Sequence, residues 1–262
     1  MKKISICFIA IILIVAMLAG CGAQTNTPAP EASLGSVDAA TSTDTPSEAA
    51  PEAAPETPEE GEASSYYIDV VYAEQIGRYR TALSEKWQEG KYYENEMSAL
   101  PIYYYEGNPL ENAGFCFIDL DNDGNLELVI GAILNSEVDP AIFEIWTLAD
   151  GEPTMLVQGG HRNRYVLQHV VEDGMWYIAN EAANGAASHA TYYLMLSEGK
   201  LEVTQGILFD AFYNEANPWF MTHDLDWDAS NDEPIDEDTA NAIMESHRRH
   251  YTAVDFLPFA SY

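Results

Sequence analysis

The stretch IFEIWTLADGEPTMLVQ, residues 142–158, decides the fold. Ile142 to Leu148 and Thr154 to Gln158 are β-branched and aromatic runs, and Asp150-Gly151 lies between them, a pairing typical of tight hairpin turns. The same grammar extends in both directions. Phe115 to Asp119 and Leu126 to Ile133 precede it, and Arg164 to Val171, Met175 to Asn180, Thr191 to Leu196 and Leu201 to Phe209 follow. Asp173-Gly174 and Glu198-Gly199 again stand between paired runs. Successive hairpins predict an antiparallel β-meander of about eight strands, forming a curved sheet or a barrel. A propeller is excluded, because each blade takes about 40 residues or more and no internal repeat is present.

Helical periodicity flanks the meander. Ile68, Val71, Tyr72, Ile76, Tyr79, Leu83 and Trp87 recur at three and four, which predicts an N-terminal amphipathic helix running to about Glu89 and ended by Gly90. A second short helical or irregular piece is closed by Pro101. From Phe209 to about Pro234 an aromatic, acidic loop region is expected, and Asp236 then starts a C-terminal amphipathic helix. Asp236, Glu237 and Asp238 suit its N-cap and first turn, and His247, Arg248, Arg249 and His250 suit its C-terminal end, which accounts for that basic cluster without catalysis. The expected class is α+β, in a single globular domain over residues 66–262.

The chain opens with Lys2 and Lys3, runs apolar from Ile4 to Leu18, and ends that run with Leu18-Ala19-Gly20-Cys21. A charged start, an apolar centre and a small-residue cleavage site are the parts of a secretory leader. The apolar run of about 15 residues is short of the roughly 20 needed to span a bilayer. Leu18-Ala19-Gly20-Cys21 resembles the lipobox of bacterial lipoproteins, which implies removal of residues 1–20 and lipidation of Cys21. Two or three acyl chains would give stable anchoring. Residues 22–65 are Ala, Pro, Thr, Ser and Glu with nine acids and neither Lys nor Arg, a composition that predicts a disordered tether. Such a tether, at about 3.1 Å per residue, reaches on the order of 100 Å.

The net charge is −32, and loss of the two leader lysines makes it −34. Setting aside the nine tether acids leaves −25 on residues 66–262, which makes nucleic acid and anionic lipid headgroups poor partners and cations good ones. Once Cys7 leaves with the leader and Cys21 is lipidated, Cys116 has no partner for an internal disulfide. Its place in the apolar run Phe115 to Ile118 marks it as a small buried hydrophobe.

The chemistry concentrates in Asp119-Leu120-Asp121-Asn122-Asp123-Gly124-Asn125-Leu126-Glu127. Carboxylates at positions 1, 3 and 5 converge only if the chain turns tightly, which Gly124 at position 6 permits. Oxygen-only donors select hard cations, and a flexible carboxylate loop suits Ca²⁺ better than octahedral Mg²⁺. The run resembles the DxDxDG calcium loops of dockerins, of thrombospondin-type repeats and particularly of integrin-like FG-GAP repeats. The resemblance covers about a dozen residues, 119–130. It implies a structural calcium ion held by the side chains of Asp119, Asp121, Asp123 and Glu127 and by the carbonyl of Asn125. The run departs from an EF-hand, which has a bidentate glutamate at position 12 where this chain has Ile130, and strands rather than helices are expected to flank it.

Asp224, Asp226 and Asp228, with Asp232 at position 9, repeat the spacing as a possible second cation site, but Ala229 stands where the glycine should be. His161, Arg162 and Arg164, in the expected turn after Gly159-Gly160, form a possible anion-binding knot. The small-residue segment from Asn180-Glu181 to Ser188-His189 reads as a loop without a nucleophile-elbow pattern. Trp146, Trp176, Trp219 and Trp227 with the tyrosines are either a sugar-binding face or core and cross-strand partners. No phosphate loop, HExxH or paired-cysteine pattern is present. The overall arrangement is similar to surface lipoproteins of Gram-positive bacteria. The expectation is an extracytoplasmic, lipid-anchored, non-enzymatic module that binds a surface protein or glycan. One alternative is a hydrolase of wall or dietary polymer using carboxylates among Asp224, Asp226, Asp228 and Glu181. Another is an interaction lipoprotein with no small ligand.

Overall fold

The computed structural model describes residues 66–133 and 141–262. The leader, Cys21 and the tether lie outside the described residues. All eight expected strands form, as β1 (Ala113–Ile118), β2 (Glu127–Ala132), β3 (Ile142–Ala149), β4 (Glu152–Gln158), β5 (Asn163–Val170), β6 (Met175–Gly185), β7 (Ser188–Ser197) and β8 (Lys200–Asp210). Three further short strands join them: β9 (Trp219–Thr222), β10 (Glu233–Pro234) and β11 (Leu257–Pro258). Four α-helices accompany them: α1 (Ala73–Ser84), α2 (Glu89–Glu94), α3 (Pro109–Asn112) and α4 (Glu237–Arg248). The class is α+β with antiparallel pairing throughout.

The meander divides into two sheets, ordered β11-β1-β2-β3-β4 and β10-β9-β8-β7-β6-β5. The division falls at Gly159-Gly160, where a turn between paired strands was expected. A Cβ on Gly159 would stand 2.4 Å from the Ile142 carbonyl oxygen, so only glycine fits, and the chain leaves the first sheet there instead of reversing beside β4. The true hairpins obey their turn chemistry. Asp150-Gly151 and Glu198-Gly199 both adopt positive φ at each central residue, the twist that matches right-handed strands.

Two cores sandwich the first sheet, which explains why β2 is buried along its whole length. Alternate residues Phe115, Leu128 and Ile130 face the helical segments, against Tyr72, Ile76, Tyr79 and Leu83. Val129, Ile145 and Val157 face the second sheet, against Leu167, Ile178, Leu194 and Leu208. The outer face of the second sheet carries Val166, Ala179 and Tyr193 with Ile243 of α4. The layers therefore run helices, sheet, sheet, helix. Cys116 packs into the inter-sheet core, where burial and the charge of Asp255 push its thiol up to about 12.

The N-terminal helix is shorter than its periodicity implied. A π-helical turn, Tyr67–Val71, precedes α1, and α1 stops at Ser84. Trp87 N–H donates to the Ala82 carbonyl and Lys86 N–H to that of Leu83, with Lys86 at φ +50°: a Schellman end built on lysine where glycine is usual. Gly90 sits inside α2, and Pro101 begins rather than closes its segment, as an early residue of the 3₁₀ turn Leu100–Tyr104. At the C-terminus Asp236 caps α4 by accepting from Thr239 N–H at 2.7 Å, as its sequence order required. Asn180 to His189 is not a loop. β6 and β7 pair through Gly185↔Ser188, because alanines and glycines are no obstacle to a ladder that has partners on both sides.

Candidate metal centre

The acidic loop is a hairpin connection, since Ile118 of β1 pairs with Glu127 of β2. Its turn is closed by its own carboxylates. Asp119 accepts the N–H of Asp123 on one oxygen and that of Gly124 on the other, both at 3.1 Å. Asp121 accepts from Asp123 N–H at 3.3 Å. Asn122 at φ +58° and Gly124 at φ +88° make the reversal tight enough for this. Outside the loop, the π-helical turn grips it from the side: Tyr72 donates to the Leu126 carbonyl and Leu126 N–H donates to the Tyr67 hydroxyl.

Oxygens of Asp119, Asp121 and Glu127 lie within 4.8 Å of one another, and this is the one such group of three among the described residues. Glu127 is the buried member, 1 % exposed. Its carboxylate accepts from Leu120 N–H at 2.8 Å and from the Thr147 hydroxyl at 2.9 Å, which fixes its rotamer from the loop and from β3. Burial, with the charges of Asp121 and Asp123 adding, pushes Glu127 up to about 7. Burial also raises Asp121, and Asp123 and Asp119 reinforce the effect. Carboxylates that resist ionisation together are the electrostatic complement of a cation, and the donor set is oxygen only. These three acids can hold a metal ion.

Asp123 is not one of that group of three. The Asp123 carboxylate accepts both the N–H and the side-chain amide of Asn125, at 2.7 and 2.9 Å. The supports at Tyr67, Tyr72 and Thr147 were not visible in the motif, since they lie 20 or more residues away in the chain.

Asp224, Asp226 and Asp228 form a chain of turns, each carboxylate accepting the backbone N–H two residues on, at 3.2, 2.8 and 3.0 Å. Asp232 has its pKa raised, first by burial and then by Asp224 and Asp226. The four do not gather three ligand atoms as the first loop does. Trp227, at φ +60°, takes the fourth position as Asn122 does in the first loop, while Ala229 at the sixth does not adopt the positive φ of Gly124. Glu181 is across the second sheet's outer face, ion-paired with Arg164 at 3.9 Å. His189 lies opposite Ala183, and Ser188 opposite Gly185, one position along β7 and so on the other face from His189. His161, Arg162 and Arg164 do come together, on the wall of a cleft of about 500 Å³ that Arg248 of α4 also lines. His247 is held between Gln168 and Gln205 and stacks on Tyr193, a packing role. The tryptophans are dispersed: Trp146 lies in the helical core, Trp219 against Phe209, and Trp227 against Tyr192.

No helix among the described residues is long and apolar enough to cross a membrane. No family model, no curated protein and no solved structure matches the chain, so the geometry of these sites is what bears on function.

Proposed function

We propose that the chain is an extracytoplasmic lipoprotein, anchored through lipid on Cys21, whose domain is a non-enzymatic binding module stiffened by calcium. The observation that carries the ion is the convergence of Asp119, Asp121 and Glu127 on one point from the two ends of a hairpin loop. Calcium suits this donor set because it accepts irregular, all-oxygen shells of six to eight ligands, completed by backbone carbonyls and water. Its role is structural: it links the end of β1 to the start of β2 and neutralises acids that otherwise repel. The polymer-hydrolase alternative finds no support in Asp224, Asp226 and Asp228, each of which holds a backbone N–H, nor in Glu181, which is paired to Arg164.

Two measurements test the two halves of this reading. Cells expressing the chain and fed labelled fatty acid should yield labelled protein, and Cys21→Ser should abolish the label; label retained by the variant removes the anchor. Melting of the purified protein in calcium and in chelator should differ by several degrees, and identical melts remove the structural ion.

A further inference from the structure

The outer face of the second sheet carries, beside α4, the cleft of about 500 Å³ already met, whose charge is opposite to that of the molecule. Without Lys2 and Lys3, residues 66–262 hold nine of the 11 Lys and Arg, against 34 of the 43 acids once the nine in the tether are set aside. Three of those nine bases, Arg162, Arg164 and Arg248, line this one cleft, and Glu181 is the one acid lining it among the described residues. They arrive from two separate parts of the chain: the start of β5, with Arg162 just before it and Arg164 within it, and the last residue of α4. Small residues, Ala183, Gly185 and Ala186, line it as well. Pairing of Glu181 with Thr191 and of Ala183 with His189 puts Thr191 and His189 on that same face as polar groups.

Pairing with acid accounts for Arg164, whereas Arg162 and Arg248 make no ion pair among the described residues. Glu181 is engaged by Arg164 at 3.9 Å and by the Tyr251 hydroxyl at 3.4 Å. Arg162 reaches only the Asn184 carbonyl, at 3.5 Å, where a guanidinium gains little. In a chain whose overall field repels anions, a concave site where two guanidiniums without an ion-pair partner join a third among the described residues is a local inversion. Guanidinium forks match carboxylates in plane and in spacing.

We propose that this cleft binds a small carboxylate-bearing ligand, with Arg162, Arg164 and Arg248 around the carboxylate and Thr191 and His189 available to the rest of the molecule. The proposal names a ligand class for the binding module and rests on that reading, but not on the calcium ion. Two sources supply the chemistry. One is an acidic saccharide, whose uronate carboxylate would meet the guanidiniums. The other is an amino dicarboxylic acid.

The test is calorimetric titration of the detergent-solubilised full chain with galacturonic acid oligomers, with N-acetylglutamate, and with the neutral amide counterpart of each, in calcium and again in chelator. One of the two carboxylates is expected to bind, and its amide at least about tenfold more weakly, as loss of a charge-assisted pair implies. Arg162→Ala and Arg248→Ala should each weaken binding by a similar factor with the melting temperature unchanged. Binding by the oligomers alone assigns the saccharide, and binding by N-acetylglutamate alone the amino acid; either supports the site. Equal binding of acid and amide, no binding by either acid, or affinity that survives loss of both arginines overturns it. The acid-against-amide comparison uses unaltered protein, so it decides the matter even if a variant misfolds. Carboxylate binding that persists in chelator alongside an absent calcium response would sink the ion and keep the cleft.

Discussion

Glu127 concentrates the electrostatics of the metal centre in one side chain. Its folded-state pKa of about 7 lies above the unfolded value of 4.5, so the metal-free fold binds this proton more tightly than the unfolded chain does. The sign follows from linkage. Metal-free stability is greatest with respect to this group below about pH 4.5 and declines as pH rises through about 7, by roughly 3 kcal/mol in all. Melting in chelator across pH 4.5 to 7.5 should show that decline, and Glu127→Gln should flatten it; an unchanged slope in the variant would remove Glu127 as its source. Calcium should reverse the sense, because binding requires the carboxylate and releases up to about one proton per ion. The carboxylates at positions 1, 3 and 9 were legible in the motif. Retraction of Asp123 onto Asn125 was not, because it is a local hydrogen-bond competition that spacing alone does not encode.

At the scale of elements, the helical layer is tied to the first sheet by a second buried carboxylate. Glu144 is 1 % exposed and accepts from Ser98 N–H at 2.8 Å and from the Trp146 indole at 2.9 Å. Pairing with Ile130 puts Glu144 on the helical side, and the β2–β3 bulge turns Phe143 to the same side. Glu144→Ala leaves two buried donors without an acceptor, at about 1–3 kcal/mol each, so the melting temperature should fall by roughly 5 °C or more on the scale of a domain this size; a fall under 2 °C would show that this tie is dispensable. Glu96 ends α2 as Lys86 ends α1, at φ +54° in a Schellman arrangement with Met97 N–H donating to the Tyr92 carbonyl. Glycine relieves that backbone of about 1 kcal/mol. Glu96→Gly should therefore raise the melting temperature by about 2–4 °C, and a lower value would mean that the side chain contributes more than the strain costs. These two ends explain why the N-terminal helix was read too long: periodicity continued through Trp87, and no glycine marked the stop. Strand positions were legible because Asp-Gly and Glu-Gly turns mark their boundaries. β9, β10 and β11 were not, since strands of two to four residues carry no usable period.

For the molecule as a whole, the sequence specified an antiparallel α+β domain but not its layering. A meander of eight strands can close on itself or split, and here it splits just after Gly159, which still donates to the Phe143 carbonyl at 2.8 Å and lies too close to Ile142 for a side chain. That contact is non-local in space and invisible to hairpin grammar. Charge is the other molecular-scale property. With a net charge of −32, self-repulsion opposes compaction, and monovalent salt should raise the melting temperature in chelator gradually over tenths of molar, as screening does. Site binding differs from screening in saturating at stoichiometric occupancy. The measurement closest to the central claim is therefore calorimetric titration of calcium into the chelator-stripped protein at fixed ionic strength, beside Asp121→Ala. The account predicts one saturable site in the micromolar to millimolar range, with magnesium much weaker and Asp121→Ala weaker by about tenfold or more. No saturable heat in the unaltered protein, or equal heat in the variant, would contradict it and leave residues 119–127 a turn closed by its own carboxylates.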